Sequence, residues 1–210
     1  MKIIIFGATG GTGRKIVQRA LGAGHEVTAI VREPAEMKIS HDRLHILRGD
    51  ALNEQSFANA LAHQEGVISA LGIAGLLNSL RPMTFHRKTA ENIVLAMQAA
   101  GVMRFIGISS VGVLRKPVGP LWYRLTLKPL IHNKYEDMRQ MEKVIRASPL
   151  DWTVVRPFRL TDGAQTGLYR IGATGEISNA GAISRADVAD FIVTALQDHK
   201  YFGKAVALAY

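Results

Sequence analysis

The residues with the most informative spacing are glycines near the start of the chain. Gly7, Gly10 and Gly13 recur every third residue, with a further glycine at Gly11. An apolar run, residues 3–6, precedes them, and apolar residues at helical spacing follow. Such a turn bends tightly and points the first N–H groups of a helix at an anion, so it predicts a pyrophosphate site. The alternative is a strand-to-helix turn without a ligand.

Polar residues that directly follow predicted strands are the next candidates, because ligands of parallel sheets bind beyond the carboxyl ends of the strands. Arg32 follows the second strand, where an NAD site usually has an acidic residue and where an arginine suits the 2′-phosphate of NADP. Arg14 adds a second positive group, and Glu33 is the residue that argues for NAD. The sequence therefore predicts NADP, with NADPH preferred over NADH.

The remaining cofactor candidates also lie at strand ends. Asp50 is interpreted either as a ligand of the adenine amino group or as a turn residue that caps the next helix. Small residues after the fourth strand leave room for the nicotinamide ribose. The predicted cofactor contacts are Gly7, Thr9, Gly10, Gly11, Thr12, Gly13, Arg14, Arg32, Asp50, Ala51, Ala70, Leu71, Gly72, Ser109, Pro157 and Phe158.

Strands alternate with helices along the chain, which predicts an α/β fold with a doubly wound parallel sheet and helices on both faces. We expect one domain over residues 1–210, with residues 111–133 and 161–184 as substrate-side insertions that form a small lobe. The predicted strands cover residues 3–6, 25–31, 44–47, 67–71, 104–108, 152–155 and 205–209. The predicted helices cover residues 15–23, 53–62, 84–100, 134–147 and 185–197.

Composition narrows the classes of protein. The 210 residues include no cysteine, so no disulfide, thiolate metal site or cysteine nucleophile is expected. The seven histidines show no metal-ligand spacing, and no metal site is predicted. The first strand begins at the N-terminus and no apolar run approaches the roughly 20 residues of a membrane span. These observations predict a cytoplasmic protein; the oligomeric state stays open, and a monomer is compatible with the sequence.

Part of the net charge of +9 is concentrated in one segment, because residues 92–135 contain no Asp or Glu. Basic and aromatic residues alternate there, among them Trp122 and Arg124, which predicts an amphipathic lid over a flat ring. Arg159 is expected to hold an anionic tail of that small-molecule acceptor. Alternatives are a helix lying on anionic lipid, or a solvated basic face that packs on the core. Nucleic-acid binding is not expected, because no reading motif accompanies the charge.

Motifs over nearly the whole chain resemble the atypical short-chain dehydrogenases of the NAD(P)H-binding, NmrA-like type, and most of all their flavin reductase/biliverdin-IXβ reductase branch. The motifs are IIFGATGGTGR, VTAIVRE, RGDALN, ISALG, RFIGISSVGV, LDWTVVRP and TDGAQTG. The resemblance implies a Rossmann-like fold and NADPH-dependent hydride transfer to flavins, biliverdin-type tetrapyrroles or quinones. It places the active-site serine at Ser110, with Ser109 beside it.

The chain departs from this pattern at two places. Carbonyl-reducing relatives have a Tyr-x-x-x-Lys pair, but the residue four positions after Tyr135 is Arg139. When the chain is aligned on LDWTVVRP, the positions expected for that Tyr and Lys carry Lys134 and Met138. Tyr135 is therefore interpreted as a helix-surface residue. The branch often has a histidine where this chain has Arg159. The alternative function is a non-catalytic regulator that senses NADP(H) and binds a protein partner.

Overall fold

A mostly parallel sheet of eight strands forms the centre of the computed structural model, which describes residues 1–73, 83–114, 131–172 and 177–210. The strands are β1 (Lys2–Phe6), β2 (Glu26–Val31), β3 (Leu44–Arg48), β4 (Gly66–Ser69), β5 (Arg104–Ile108), β6 (Asp151–Pro157), β7 (Arg159–Thr161), β8 (Arg170–Gly172), β9 (Ala182–Ser184) and β10 (Lys204–Ala209). Within those residues the strand order is β3-β2-β1-β4-β5-β6-β10-β8, and only β8 runs antiparallel to its neighbour β10. Strands β7 and β9 form a separate parallel pair.

Helices cover both faces of the sheet. Helices α1 (Gly11–Gly22) and α4 (Arg185–Ala195) pack on each other over one face, and α2 (Phe85–Ala100) and α3 (His132–Ala147) pack on each other over the opposite face. In β1, Ile3 and Ile5 enter the first core while Ile4 and Phe6 enter the second. The strand is continuously apolar because both of its faces are buried. The predicted Rossmann-like, doubly wound fold is thus confirmed.

The helix predicted over residues 53–62 is wrong. The structure has two short 3-10 helices instead, Glu54–Ser56 and Ala58–Leu61. The Ser56 hydroxyl accepts from the backbone N–H of Asp50 at 2.9 Å and donates to the carbonyl of Asn53 at 2.6 Å. These local bonds tighten the chain into a turn in place of an α-helix.

Part of the positive charge that the sequence concentrates between residues 92 and 135 is internal. Arg104 is buried in β5, and its guanidinium donates to the carbonyls of Ala195 and Leu196 at 2.6 and 2.9 Å. A cation in this position caps the C-terminal end of α4. Burial lowers the pKa of Arg104 to about 10. Arg104 is therefore a structural residue and contributes nothing to a basic surface.

Asp187 connects the segment before β8 to helix α4. It is fully buried and accepts hydrogen bonds from the backbone N–H groups of Thr166 and Gly167, both at 2.8 Å, and from the hydroxyl of Tyr210 at 2.6 Å. It also bonds the N-cap residue Ser184. This carboxylate fixes the start of α4, which faces the glycine turn.

We predict that Asp187 makes stability fall steeply in acid. Burial alone would raise the pKa of its carboxyl, but the bonds from Tyr210, Gly167 and Thr166 lower it overall. The pKa of this carboxyl is lower in the folded protein than its value of about 3.9 in the unfolded chain, so the carboxyl stabilises the fold at pH values above about 3.9. This stabilisation is lost as the pH falls through the pKa of the folded state. Urea unfolding at a series of pH values below about 5 should therefore show that the free energy of unfolding falls more steeply with decreasing pH for the wild type than for Asp187→Asn. Parallel plots of the free energy of unfolding against pH for the two proteins would contradict this prediction. The control is Asp42→Asn, which changes an exposed carboxyl.

Candidate functional site

The glycine turn after β1 is shaped by two close approaches. Gly7 has a φ of +77°, and a Cβ there would lie 2.6 Å from the carbonyl oxygen of Ala70, which follows β4. A Cβ at Gly13 would lie 2.0 Å from the carbonyl oxygen of Gly7. Only glycine fits at these two positions, so the spacing of the motif is explained by packing of the turn against β4 and α1.

The N-terminus of α1 is left open for an anion. Its N-cap residue, Gly10, makes no side-chain capping bond, and the first turn contains no acidic residue. The backbone N–H of Arg14 donates to the carbonyl of Gly10 at 2.9 Å, so the N–H groups of Gly11, Thr12 and Gly13 precede the first i to i−4 bond of the helix. These donors and the helix dipole suit a pyrophosphate.

A cleft of about 160 Å³ lies beyond the carboxyl ends of β1, β2 and β4. Phe85, at the start of α2, closes one side of it. Phe85 is not among the residues predicted from the sequence, because no motif surrounds it. The predicted cofactor residues that line the cleft are Gly7, Thr9, Gly10, Arg32, Asp50, Ala51, Ala70, Leu71 and Gly72.

Charged residues lie at and around this cleft. Arg32 is exposed, lines the cleft and makes no hydrogen bond within the described part of the chain. The exposed Arg14 donates to the carbonyl of Glu36 at 3.4 Å. Asp50 accepts from the backbone N–H of Leu52 at 3.0 Å through one carboxylate oxygen, so it is a turn residue, but the N-cap of the following 3-10 helix is Asn53 and not Asp50. Its bond to adenine stays a prediction.

A second cleft, of about 520 Å³, lies beyond the carboxyl ends of β5 and β6. Gly72 lines the first cleft and Ile73 the second, so the two adjoin. The predicted residues that line the second cleft are Ser109, Ser110, Pro157, Phe158 and Arg159. Arg159 is exposed at its rim. The other two predicted acceptor-binding residues, Trp122 and Arg124, lie outside the described residues.

The two serines of this cleft differ in their bonding. The Ser110 oxygen accepts from the backbone N–H of Gly112 at 3.1 Å and so caps the 3-10 turn Val111–Val113. Ser109 is 4% exposed, and its hydroxyl oxygen has no hydrogen-bond partner within the described residues. Leaving a buried hydroxyl unpaired costs about 1–3 kcal/mol. The unpaired group is therefore Ser109, one residue before the serine that the resemblance emphasises.

Two residues at the start of α3 complete the cleft. Tyr135 is half-buried with its ring against Gly112, where a Cβ would lie 2.1 Å from the ring carbon Cζ. Tyr135 thus packs on the turn after β5 and lines the cleft, in addition to lying at the surface of α3. Lys134 donates from Nζ to the carbonyl of Ile73 at 3.3 Å, and burial lowers its pKa. Arg139 does not reach toward the cleft as a catalytic lysine would, because it donates to the carbonyl of Val113 at 2.7 Å and to Glu136 at 2.7 Å.

Behind the cleft, a buried ion pair holds α3 against β6. Arg156 and Glu142 are 8% and 4% exposed, and Arg156 Nε donates to Glu142 Oε1 at 2.9 Å with a second contact to Oε2. Planar bidentate pairing fixes both side chains. The pair sets the position of the helix that supplies Lys134 and Tyr135, although neither of its members lines the cleft.

Comparison with known proteins assigns the chain to a family. The NAD(P)H-binding family matches residues 7–199, and the chain belongs to that family. It is 30% identical over 216 residues to an uncharacterised chloroplastic protein of Arabidopsis thaliana, with 99% of this chain and 76% of that protein covered. The family and the fold together define an NAD(P)H-binding protein with a Rossmann-like sheet.

Solved structures confirm the Rossmann fold. A short-chain dehydrogenase/reductase of Veillonella parvula in complex with NADP has a TM-score of 0.80 at 21% identity, covering 100% of this chain and 94% of that chain. The anaerobilin reductase ChuY of Escherichia coli O157:H7 has a TM-score of 0.77 at 22% identity, covering 100% and 97%. Across the described residues, every helix is too short or too polar to cross a membrane.

Proposed function

We propose that the protein is an NADPH-dependent reductase that transfers hydride to a flat conjugated acceptor, namely a flavin, a biliverdin-type tetrapyrrole or a quinone. The observation that carries the proposal is the unpaired hydroxyl of Ser109 in the wall of the second cleft. A buried hydroxyl that has no partner in the protein is available to a hydrogen-bonding group of a bound ligand or to a water molecule. Because the second cleft adjoins the first cleft, which we call the nucleotide cleft because the dinucleotide is proposed to bind there, that ligand can lie beside the nicotinamide.

The chain's own contribution to this reaction is orientation and hydrogen bonding. Bound NADPH supplies the hydride, and transfer to a conjugated acceptor needs little side-chain chemistry. The Ser110 oxygen accepts from the backbone N–H of Gly112, so its own proton stays available to donate to a group in the cleft that Ser110 lines. The proton is then placed to hydrogen-bond an acceptor atom on which negative charge develops. Lys134 holds a further proton at Nζ at the same wall.

The choice of cofactor and acceptor is supported by charge. The exposed Arg32 at the end of β2 suits a 2′-phosphate, and the Veillonella neighbour binds NADP. Arg159 at the rim of the second cleft suits an anionic tail such as a flavin phosphate or a tetrapyrrole propionate. A structural neighbour described as an anaerobilin reductase supports the tetrapyrrole class.

The test is a panel of acceptors assayed for NADPH oxidation: FMN, riboflavin, biliverdin and a short-chain quinone. We expect turnover with at least one class, and faster turnover with FMN than with riboflavin because only FMN has a phosphate for Arg159. Equal rates for FMN and riboflavin would contradict the role of Arg159. Tight NADPH binding without turnover of any acceptor would contradict the reductase and support the sensing regulator.

The alternative, a non-catalytic NADP(H) sensor, is favoured by one observation. The position four residues after Tyr135 carries Arg139, whose guanidinium is bonded to Val113 and Glu136. The site therefore has no lysine at the place where carbonyl-reducing relatives use one. The reductase is preferred because hydride transfer to a conjugated acceptor does not require that pair.

We predict opposite stability effects for alanine at the two serines. Ser109→Ala removes an unpaired hydroxyl, so the unliganded protein should be as stable as the wild type or more stable, while kcat/KM falls by about tenfold or more. Ser110→Ala removes a cap and should lower the free energy of unfolding by about 0.5–2 kcal/mol. It also removes the proton that bonds the acceptor, so kcat should fall as well. Urea unfolding without ligands and steady-state kinetics measure both effects. Ser148→Ala, which removes a hydroxyl bonded to Ile145 at the far end of α3, is the control. An unchanged rate in Ser109→Ala would leave that residue without a functional role.

A further inference from the structure

Arg185 occupies a position that helix stability does not explain. It is the first residue of α4, directly after the N-cap residue Ser184. A cation there opposes the helix dipole, which favours negative charge at an N-terminus. Asp187 in the same turn already satisfies the dipole. The contacts that Arg185 makes outside α4 are therefore of interest.

The side chain of Arg185 extends across the glycine turn. A Cβ at Gly11 would lie 3.1 Å from Arg185 Nε and 3.2 Å from its Cδ. Gly11 is the first residue of α1, where glycine is a poor helix former, and its lack of a side chain leaves room for the arginine. This accounts for the extra glycine that the Gly7, Gly10, Gly13 spacing leaves unexplained.

The charged partner of Arg185 in the unliganded protein is weakly held. Arg185 donates to Asp162 Oδ1 at 2.6 Å, but the Asp162 side chain is 87% exposed. Exposed ion pairs contribute little and exchange readily with solvent. Arg185 also lines the second cleft, as Ser110 does, so its side chain lies between the glycine turn and that cleft.

We propose that Arg185 is a pyrophosphate ligand that exchanges Asp162 for phosphate oxygens when the dinucleotide binds. The inference rests on cofactor binding by the proposed function and not on turnover. The open N-terminus of α1 supplies N–H donors but no full positive charge, whereas a pyrophosphate carries negative charge on both phosphates. Of the other cations near the turn, Arg14 bonds the carbonyl of Glu36, and Lys15 lines a separate pocket between α1 and the segment that contains Asp162. The Arg185 guanidinium supplies the missing charge and can bind phosphate oxygens with two donors.

Calorimetric titration of NADP⁺ and of adenosine 2′-monophosphate tests this, since only NADP⁺ contains the pyrophosphate. For Arg185→Gln we expect the Kd of NADP⁺ to rise by about tenfold or more and that of adenosine 2′-monophosphate to stay within about twofold. Lys143→Gln on α3 is the matched control for loss of one positive charge. An equal loss for both ligands, or no loss for either, would overturn the role of Arg185. Neither result depends on catalysis, so failure here is distinct from failure of the reductase proposal.

Asp162→Asn tests the exchange of partners. If Asp162 competes with the pyrophosphate, its replacement should leave NADP⁺ affinity unchanged or tighten it by up to about fivefold, the range for an exposed pair. If Asp162→Asn weakens NADP⁺ as much as Arg185→Gln does, the carboxylate positions the arginine and the exchange does not occur. A thermal melt without ligand, expected to be the same for both variants and the wild type within about 2 °C, excludes unfolding as the cause.

Discussion

Arg32→Glu should weaken NADPH binding by about 100-fold while changing NADH binding by less than about threefold. The two cofactors differ only in the 2′-phosphate, so an effect confined to NADPH reports on that group. Arg32 is exposed, lines the nucleotide cleft and makes no hydrogen bond within the described residues. Its replacement therefore removes a phosphate ligand and adds repulsion without disturbing an existing contact.

Calorimetric titration of both cofactors into the two proteins measures this difference. Lys143→Glu, an equal charge reversal at an exposed position of α3, controls for the change of net charge and should leave both affinities within about twofold. Equal weakening of NADPH and NADH by Arg32→Glu would contradict the 2′-phosphate role. In that event Glu33, which is next along the chain and also exposed, becomes the candidate ligand of an NAD ribose.

Glu142→Ala should lower the free energy of unfolding by about 3–5 kcal/mol, since it leaves the Arg156 charge buried without a partner. For a chain of this length a loss of that size lowers Tm by about 6–20 °C. The change lies behind the cleft, so the helix that carries Lys134 and Tyr135 should also lose its fixed position. Urea unfolding and thermal denaturation measure the effect.

The matched comparison is Glu91→Ala, which removes an i to i+4 partner of Arg87 at 2.8 Å. Both members of that pair are 37% exposed, so the loss should stay below about 1 kcal/mol. Glu142→Gln should fall between the two, because the amide still accepts one bond but no longer balances the charge. Similar losses for Glu142→Ala and Glu91→Ala would show that the Arg156 pair is not stabilising.

Much of this fold follows from the sequence because its signals are local. The apolar residues of β1 and the close-packed Gly7 and Gly13 act within a few positions of each other, and they predict a strand, a turn and a helix correctly. Residues 53–62 gave a wrong prediction because Phe57 and Leu61 are buried at helical spacing while Ser56 bonds tighten the backbone into 3-10 turns. Periodicity records which residues are buried, and not how the backbone between them is bonded.

The site could be predicted where a residue follows a strand, and was missed where a contact joins distant segments. Arg32 and Ser109 are strand-end residues, and sequence alone places them in the clefts. The contact of Arg185 with Gly11, and that of Tyr135 with Gly112, depend on how α4 and α3 pack on the sheet. The bond from Gly112 to Ser110, which separates the roles of the two serines, depends on turn geometry that residue types do not specify.

The most direct test of the reductase is a single-turnover experiment without oxygen. Protein with NADPH bound is mixed rapidly with each acceptor, and the loss of the nicotinamide absorbance is followed with ordinary NADPH and with NADPH that carries deuterium at C4. The account predicts that bound NADPH is oxidised by at least one acceptor, that deuterium at the transferred position slows this step, and that Ser109→Ala slows it further. Bound NADPH that stays reduced in the presence of all four acceptors would contradict hydride transfer as the function of this protein.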